Sequence, residues 1–290
     1  MKKMWNPRIK LILSMAVFGT LGPFVRLISV SSGELALYRA VLAVLLIGLF
    51  SLITGQKLSV KHLQKELPLL LLSGFALGFN WILLFEAYKH TTVSVATLSY
   101  YFAPVLVTVM CPILFRERMS GKNWICFGMS TVGIVLITGI GDVSAGQDHF
   151  RGILFGLGAA CLYAAVVLLN KCIKQTEGLN RTFLQFAAAI LVLMPYVGFT
   201  GGITLCALDL TGWLCLLTVG CIHTGAAYCL YFSAVKELPG QQAAILSYMD
   251  PLLAVILSVA VLREEITPVQ ILGGCLILGF TLWNEIPAKE

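Results

Sequence analysis

Asp250 and Pro251 stand side by side in LSYMDPLLAV (246–255), within some twenty otherwise uncharged, mostly apolar residues. Counted from Gln241 at about 1.5 Å per residue, Asp250 lies about 13 Å along a helix, near the centre of a bilayer. An ionised carboxylate facing lipid there costs at least ~2.5–3.5 kcal/mol, so it should face a polar cavity or carry a proton. Pro251 has no N–H to offer the carbonyl of Ser247. Pro104, in YYFAPVL (100–106), leaves the carbonyl of Tyr100 equally free. An acid and two spare acceptors near mid-membrane fit a solvated cavity that faces a ligand. The competing reading is local: prolines that kink helices for packing, and an aspartate tied to Ser247, Tyr248 or a neighbouring helix.

Two other charges bear on chemistry. Arg39 and Glu86 each fall a few residues short of the same end of successive helices, and equal depth permits an ion pair. Such a pair would lock one face of a carrier or merely orient two helices; alternatively, Arg39 meets a substrate carboxylate. His223, in CIHTGAAYCLY, is a lone membrane histidine that could relay protons or simply pack. Asn80, Trp81, Thr97, Tyr100 and Tyr101 are further candidates to line a cavity. So are Tyr163, Asn170, Tyr228, Ser247 and Tyr248. Trp81 and the midspan tyrosines lie too deep for the interfacial belt that suits Trp5, Trp213 and Trp283.

No metal site or disulfide frame is visible, because the nine cysteines are scattered without a C-x-x-C pair and read as small packing residues. Glycine-rich stretches such as GFALGFN (74–80) give small-x-x-x-small helix contacts. They are not nucleotide loops, since no strand precedes them.

These residues need elements that carry them across a membrane. Of 290 residues, 58% are hydrophobic and 12% charged, against roughly 25% charged in a soluble domain. Ten apolar runs approach the ~20 residues that span a bilayer: 9–30, 35–53, 67–87, 93–115, 124–140, 152–170, 182–199, 210–235, 241–262 and 269–284. They lack the two-residue alternation of a barrel, so the chain is predicted to be an all-α integral membrane protein with ten transmembrane helices. Its net charge of +6 is dispersed over span ends, which argues against nucleic acid as a partner. With the N-terminus inside, fifteen of the twenty Lys and Arg fall on inner segments and four on outer ones, Arg39 lying within a span. Both termini are therefore expected to be cytoplasmic. The basic start MKKMWNPRIK is followed by no small-x-small cleavage pattern and reads as an uncleaved first helix.

Displacing the chain by 147 positions superimposes Gly78 on Gly225, Phe85 on Phe232, Tyr101 on Tyr248, Pro104 on Pro251, and Arg116–Glu117 on Arg263–Glu264. The chain thus reads as a duplicated unit: residues 1–141, a polar linker at 142–150, and residues 151–290. Five spans per unit is an odd number, so the second copy must enter the membrane inverted. Charge agrees: RERMSGK (116–122) holds Arg116, Arg118 and Lys122, whereas REEITPV (263–269) holds Arg263 alone. Inverted repeats are the architecture of secondary transporters, with a midplane site between the repeats and alternating access.

Ten short spans in a five-plus-five inverted repeat, an aromatic and a proline in the fourth span of each half, and an RE closing that span resemble the EamA-type transporters of the drug/metabolite transporter superfamily. The resemblance covers essentially the whole chain. It implies transport of a small metabolite, often an amino acid or related solute, without an enzymatic step, a cofactor or ATP. The halves are not chemically equivalent, because Asp250 stands where YYFAP has Ala103, so any site between them should be polarised. A zwitterion such as an amino acid fits Arg39 plus Asp250. A choline-like organic cation or drug fits Asp250, Glu86 and the aromatics. A lipid-headgroup flippase of the same fold is a further alternative. A lipid-modifying enzyme lacks a catalytic set, with no HExxH and no clustered histidines. The expected setting is the plasma membrane, as a monomer or homodimer, with a small-molecule substrate, the lipid bilayer and, as coupling ion, protons for partners.

Overall fold

A computed structural model describes residues 6–55, 63–115, 120–137, 147–176, 178–235, 237–238, 243 and 246–286. Lys2, Lys3, Lys57, Lys61, Arg116, Glu117, Arg118, Lys236, Gln241 and Lys289 lie outside the described residues, as does most of the predicted linker. No strand occurs among the described residues.

Polar residues placed between apolar runs set the helix starts. Asn6 accepts the Arg8 N–H at 3.0 Å and, with Pro7 as first residue, opens α1 (Pro7–Gly19). The short α2 (Leu21–Arg26) continues it. Ser31 and Glu34 form a reciprocal capping box on α3 (Ser32–Thr54), which Gly55 ends at φ 68°, a left-handed conformation that suits glycine. Then come α4 (Leu63–His90), α5 (Val93–Tyr100, capped by Thr92), α6 (Ala103–Phe115) and α7 (Gly121–Ile137). The second part holds α8 (Gln147–Cys172), α9 (Gly178–Thr200) and α10 (Leu210–Leu217, capped by Asp209). A π-helical segment, Thr218–Ala226, joins α10 to α11 (Ala227–Val235). The last two helices are α12 (Met249–Ala260) and α13 (Pro268–Glu285).

Among the described residues, seven stretches are long and apolar enough to cross a membrane: Pro7–Arg26, Ser32–Thr54, Lys65–His90, Val93–Phe115, Asp148–Cys172, Gly178–Thr200 and Leu210–Val235. Gly121–Ile137, Met249–Ala260 and Pro268–Asn284 are shorter apolar helices. The chain is a multi-pass membrane protein.

Two predicted spans differ in kind from what was expected. The fourth is not one kinked helix but two, α5 and α6, separated at Tyr101 and Phe102, and Pro104 lies in the first turn of the second. The ninth likewise turns at Tyr248, so that Pro251 is the third residue of α12. A first-turn proline forgoes an N–H that would have no intrahelical partner anyway. Asp250, second in α12, sits where the helix macrodipole favours a negative charge.

The core forms where early and late helices meet. α4 packs along α8 and α9, α3 along α9 and the π segment, α1 along α11 and α12, and α5 along α8 and α12. Phe85, Leu35, Ile47, Phe186, Leu193 and Leu216 are fully enclosed there. α7 and α13 pair at the side, where Gly133 and Gly273 meet backbone to backbone; a Cβ on Gly133 would lie 2.7 Å from the Gly273 carbonyl oxygen.

One end of the bundle gathers Lys65, Lys171, Lys174 and Arg181 and is termed here the basic rim. Glu66 fastens it, accepting the backbone N–H groups of Lys174 and Gln175 at 2.8 Å each and the Thr176 hydroxyl at 2.7 Å. The opposite rim is formed by the ends of α2, α4 and α12 and the starts of α3, α5 and α8.

Candidate functional site

Between the two groups of helices lies a cavity of about 530 Å³. Near the opposite rim its wall is buried, at Leu21, Leu84, Tyr88 and Thr97. Near the basic rim Asn170, Arg181, Tyr231 and Ser247 are partly exposed, so the cavity opens towards that rim.

The two helix breaks face each other across it. The Tyr101 hydroxyl donates to Asp250 Oδ2 at 2.7 Å, joining residues 149 positions apart. The rings of Tyr101 and Tyr248 lie 6.5 Å apart, and Tyr100 stacks near Tyr101 at 6.1 Å and Tyr163 at 5.4 Å. A carboxylate thus stands in a wall of phenol hydroxyls and aromatic faces, a surface that suits an ammonium group.

The other charge comes from α3. Arg39 is 4% exposed yet borders the cavity. Its Nε donates to Thr224 Oγ1 at 2.7 Å, and its guanidinium lies over Trp81, 4.6 Å from the ring centroid, with Phe85 at 5.6 Å. Nη1 is buried without a hydrogen-bond partner. A buried guanidinium N–H left unsatisfied is costly, and it is the group a ligand carboxylate would complete. Arg39 and Asp250 both border this one cavity, so the two charges belong to one site.

The π segment makes the Arg39 contact. Thr224 donates to the carbonyl of Val219, five residues back, at 2.8 Å, and turns its other lone pair to Arg39. Gly220 and Gly225 let this segment press on Leu42 and Leu46 of α3, where a Cβ on either would collide with those side chains. Such segments often mark functional sites.

Of the residues singled out in sequence, Arg39, Trp81, Thr97, Tyr100, Tyr101 and Pro104 line the cavity. So do Tyr163, Asn170, Tyr228, Ser247, Tyr248 and Asp250. Four others do not. Asn80 is buried, donating to the Ala159 carbonyl at 2.6 Å. His223 is buried between Thr20 Oγ1 at 2.8 Å and the Thr218 carbonyl at 3.2 Å, with Phe24 against its ring; both nitrogens are engaged, so it packs rather than faces a ligand. Pro251 is buried behind Asp250. The expected ion pair between Arg39 and Glu86 is absent. Glu86 stays at the rim with Ser32, Lys89 at 3.4 Å and His90 at 3.6 Å, while Arg39 lies deeper and turned towards the π segment.

Sequence reasoning missed Tyr88, although Leu77, Trp81, Leu84 and Tyr88 share one face of α4 by their spacing of four, three and four residues. It also missed Arg181, Gln185, Phe186 and Tyr231 as wall residues. Gln185 Nε2 donates to Asn170 Oδ1 at 2.6 Å and to Ser73, forming a polar wall nearer the basic rim. No group of three His, Cys, Asp or Glu side chains placed to hold a metal occurs among the described residues.

The model of the EamA-like transporter family matches residues 8–139 and 150–284. The chain belongs to this family. It is similar to the uncharacterized transporter YxxF of Bacillus subtilis, with 33% identity over 254 residues, covering 86% of this chain and 79% of that one. It is also similar to an uncharacterized transporter of Archaeoglobus fulgidus, 26% identical over 278 residues and 95% of each chain. A crystal structure at 16% identity superimposes with a TM-score of 0.64 over 95% of each chain and has the same fold. Family membership makes this chain a multi-pass membrane transporter.

Proposed function

We propose that the chain is a secondary carrier of a small zwitterion such as an amino acid, bound midway through the bilayer and released by alternating access. The observation that carries this is the pairing, on one cavity wall system, of Asp250 with the unsatisfied guanidinium of Arg39. The volume of about 530 Å³ is within the ~300–1,000 Å³ usual for small-molecule sites. A choline-like cation is disfavoured, because Arg39 would face it with a like charge. Asp250 is also the group in the cavity that can carry a coupling proton; Glu86, at the rim, is not placed for that.

The reading takes the chain as ten spans in two inverted five-helix units, with both termini cytoplasmic in the plasma membrane. Two consecutive matches of one family model support it. So does the meeting of Tyr101 and Tyr248 at facing breaks 147 positions apart.

Thermal-shift measurements on purified protein against amino acids, quaternary amines and nucleosides test the function. A ligand at 100 times its Kd stabilises by about 2.7 kcal/mol. Stabilisation by an amino acid that disappears in Asp250→Asn is the expected result. A quaternary amine that stabilises while amino acids do not would overturn the zwitterion reading.

A further inference from the structure

We infer that Arg26 and Glu264 form a latch that closes the cavity at the opposite rim, and that the two must part for the cavity to open there. The inference rests on the carrier reading, since a gate is meaningful only in a protein with alternating access. Arg26 ends α2 and Glu264 follows α12, and their side chains form an ion pair.

Three elements converge on that pair. Glu264 Oε2 accepts the Val93 N–H at 2.8 Å, placing a carboxylate on the first turn of α5, and also the Ser258 hydroxyl. Arg26 Nε donates to the Tyr88 carbonyl at 3.0 Å, and Nη2 to that of Thr91. The latch therefore ties the ends of α2, α4 and α12 to the start of α5. It lies directly over the blind end of the cavity, because Tyr88 and Thr97, the buried wall residues there, belong to the same two helix ends.

Two features distinguish this pair from a permanent staple. Arg263 is the one non-glycine residue with positive φ among the described residues, at 54°. Left-handed backbone is disfavoured for a side chain of that kind and persists where the surroundings hold it. Here the turn sends Glu264 back onto Ser258, its own N–H reaching the Ser258 carbonyl at 3.0 Å. Parting of the latch lets that turn relax. In addition, Arg26 is one-third exposed, at 32%, while Glu264 is 8% exposed, and Glu264 Oε1 faces the guanidinium without another donor. On separation the Arg26 charge meets water, and the Glu264 carboxylate keeps the Val93 N–H and the Ser258 hydroxyl. A switch between closed and open states needs contacts that exchange in this way.

Thiol labelling of Thr97→Cys tests the latch. A membrane-impermeant maleimide is applied to sealed right-side-out and inside-out vesicles, and the label is read at residue 97 by mass spectrometry. The protein with an intact latch should label from one vesicle orientation only. Glu264→Gln and Arg26→Met should each label from the other orientation as well, at least about 10-fold above the parent's residual background from that side. The double variant should label no faster than either single one, because both remove one interaction. Ser258→Ala should fall between. Should Glu264→Gln fail to elute as a monodisperse protein, Glu264→Asp, one methylene shorter, gives the same test. One-sided labelling in every variant, or additive effects in the double, would overturn the latch. No substrate is needed, so this outcome is independent of whether the zwitterion is the transported solute.

Discussion

Two stretches 147 positions apart, SYYFAP (99–104) and LSYMDP (246–251), build nearly the same object and differ in its charge. Each ends one helix, carries a tyrosine at the turn and sets a proline in the first turn of the next. The first has Ala103 before its proline, 2% exposed and neutral; the second has Asp250. The tyrosine of the neutral break holds the acid of the charged one at 2.7 Å. Two breaks of similar build thus face the cavity, and the one difference before the proline, Asp250 in place of Ala103, polarises it. A second asymmetry reinforces the first. Residues 218–226 are π-helical, whereas the stretch 147 positions earlier, 71–79, is regular α-helix within α4. Thr224 can reach Arg39 because of that local winding, while its counterpart, Leu77, offers only apolar wall.

The largest expected effect comes from removing the acid. Asp250→Asn should weaken amino-acid binding at least about 30-fold, since truncating one partner of a buried charge pair costs ~2–5 kcal/mol. Moving the acid, as Asp250→Ala with Ala103→Asp, should not restore binding, because Arg39 is not duplicated: Phe186 stands 147 positions on, in the cavity wall. Recovery of affinity in that double variant would show the two breaks to be interchangeable. Next in size is Arg39→Met, expected to weaken amino-acid binding by about 10-fold or more, the value of a charge-assisted hydrogen bond. The same variant should bind the corresponding amine, without its carboxylate, within about 3-fold of the parent. Tyr101→Phe removes one hydrogen bond to the carboxylate and should cost about 10-fold in affinity, or ~1.4 kcal/mol. Smallest on binding is Gly220→Ala, which tests the π segment. It should lower stability by about 1–3 kcal/mol through overpacking against Leu42. Gly128→Ala, with nothing within 4 Å of its new methyl, should leave the melting temperature unchanged or raise it.

The seven spans long and apolar enough to cross were legible in the sequence because continuous apolar runs report directly on burial in lipid, and the polar caps Asn6, Ser31, Thr92 and Asp209 stand at the edges of four of them. Asp250, the tyrosines and Arg39 were legible as cavity residues for the converse reason: polar groups at depth need company. Rotation about the helix axis was not. Arg39 and Glu86 were placed by depth alone, yet one faces Trp81 and Thr224 and the other faces Ser32. His223 was ambiguous from its type, and its hydrogen bonds to Thr20 and Thr218 depend on which helices meet. The π segment leaves no composition signal beyond Gly220 and Gly225, and Arg26 and Glu264 looked like ordinary span-end charges until α2, α5 and α12 were seen to converge.

The central claim, that Asp250 and Arg39 recognise the two ends of one zwitterion, is tested most directly by calorimetric titration with three matched ligands. These are an amino acid, the same molecule without its carboxylate, and the same molecule without its amine. The account predicts that the amino acid binds at least about 10-fold more tightly than either truncated analogue. Equal affinity for the amino acid and the amine alone, unaltered by Arg39→Met, would contradict it.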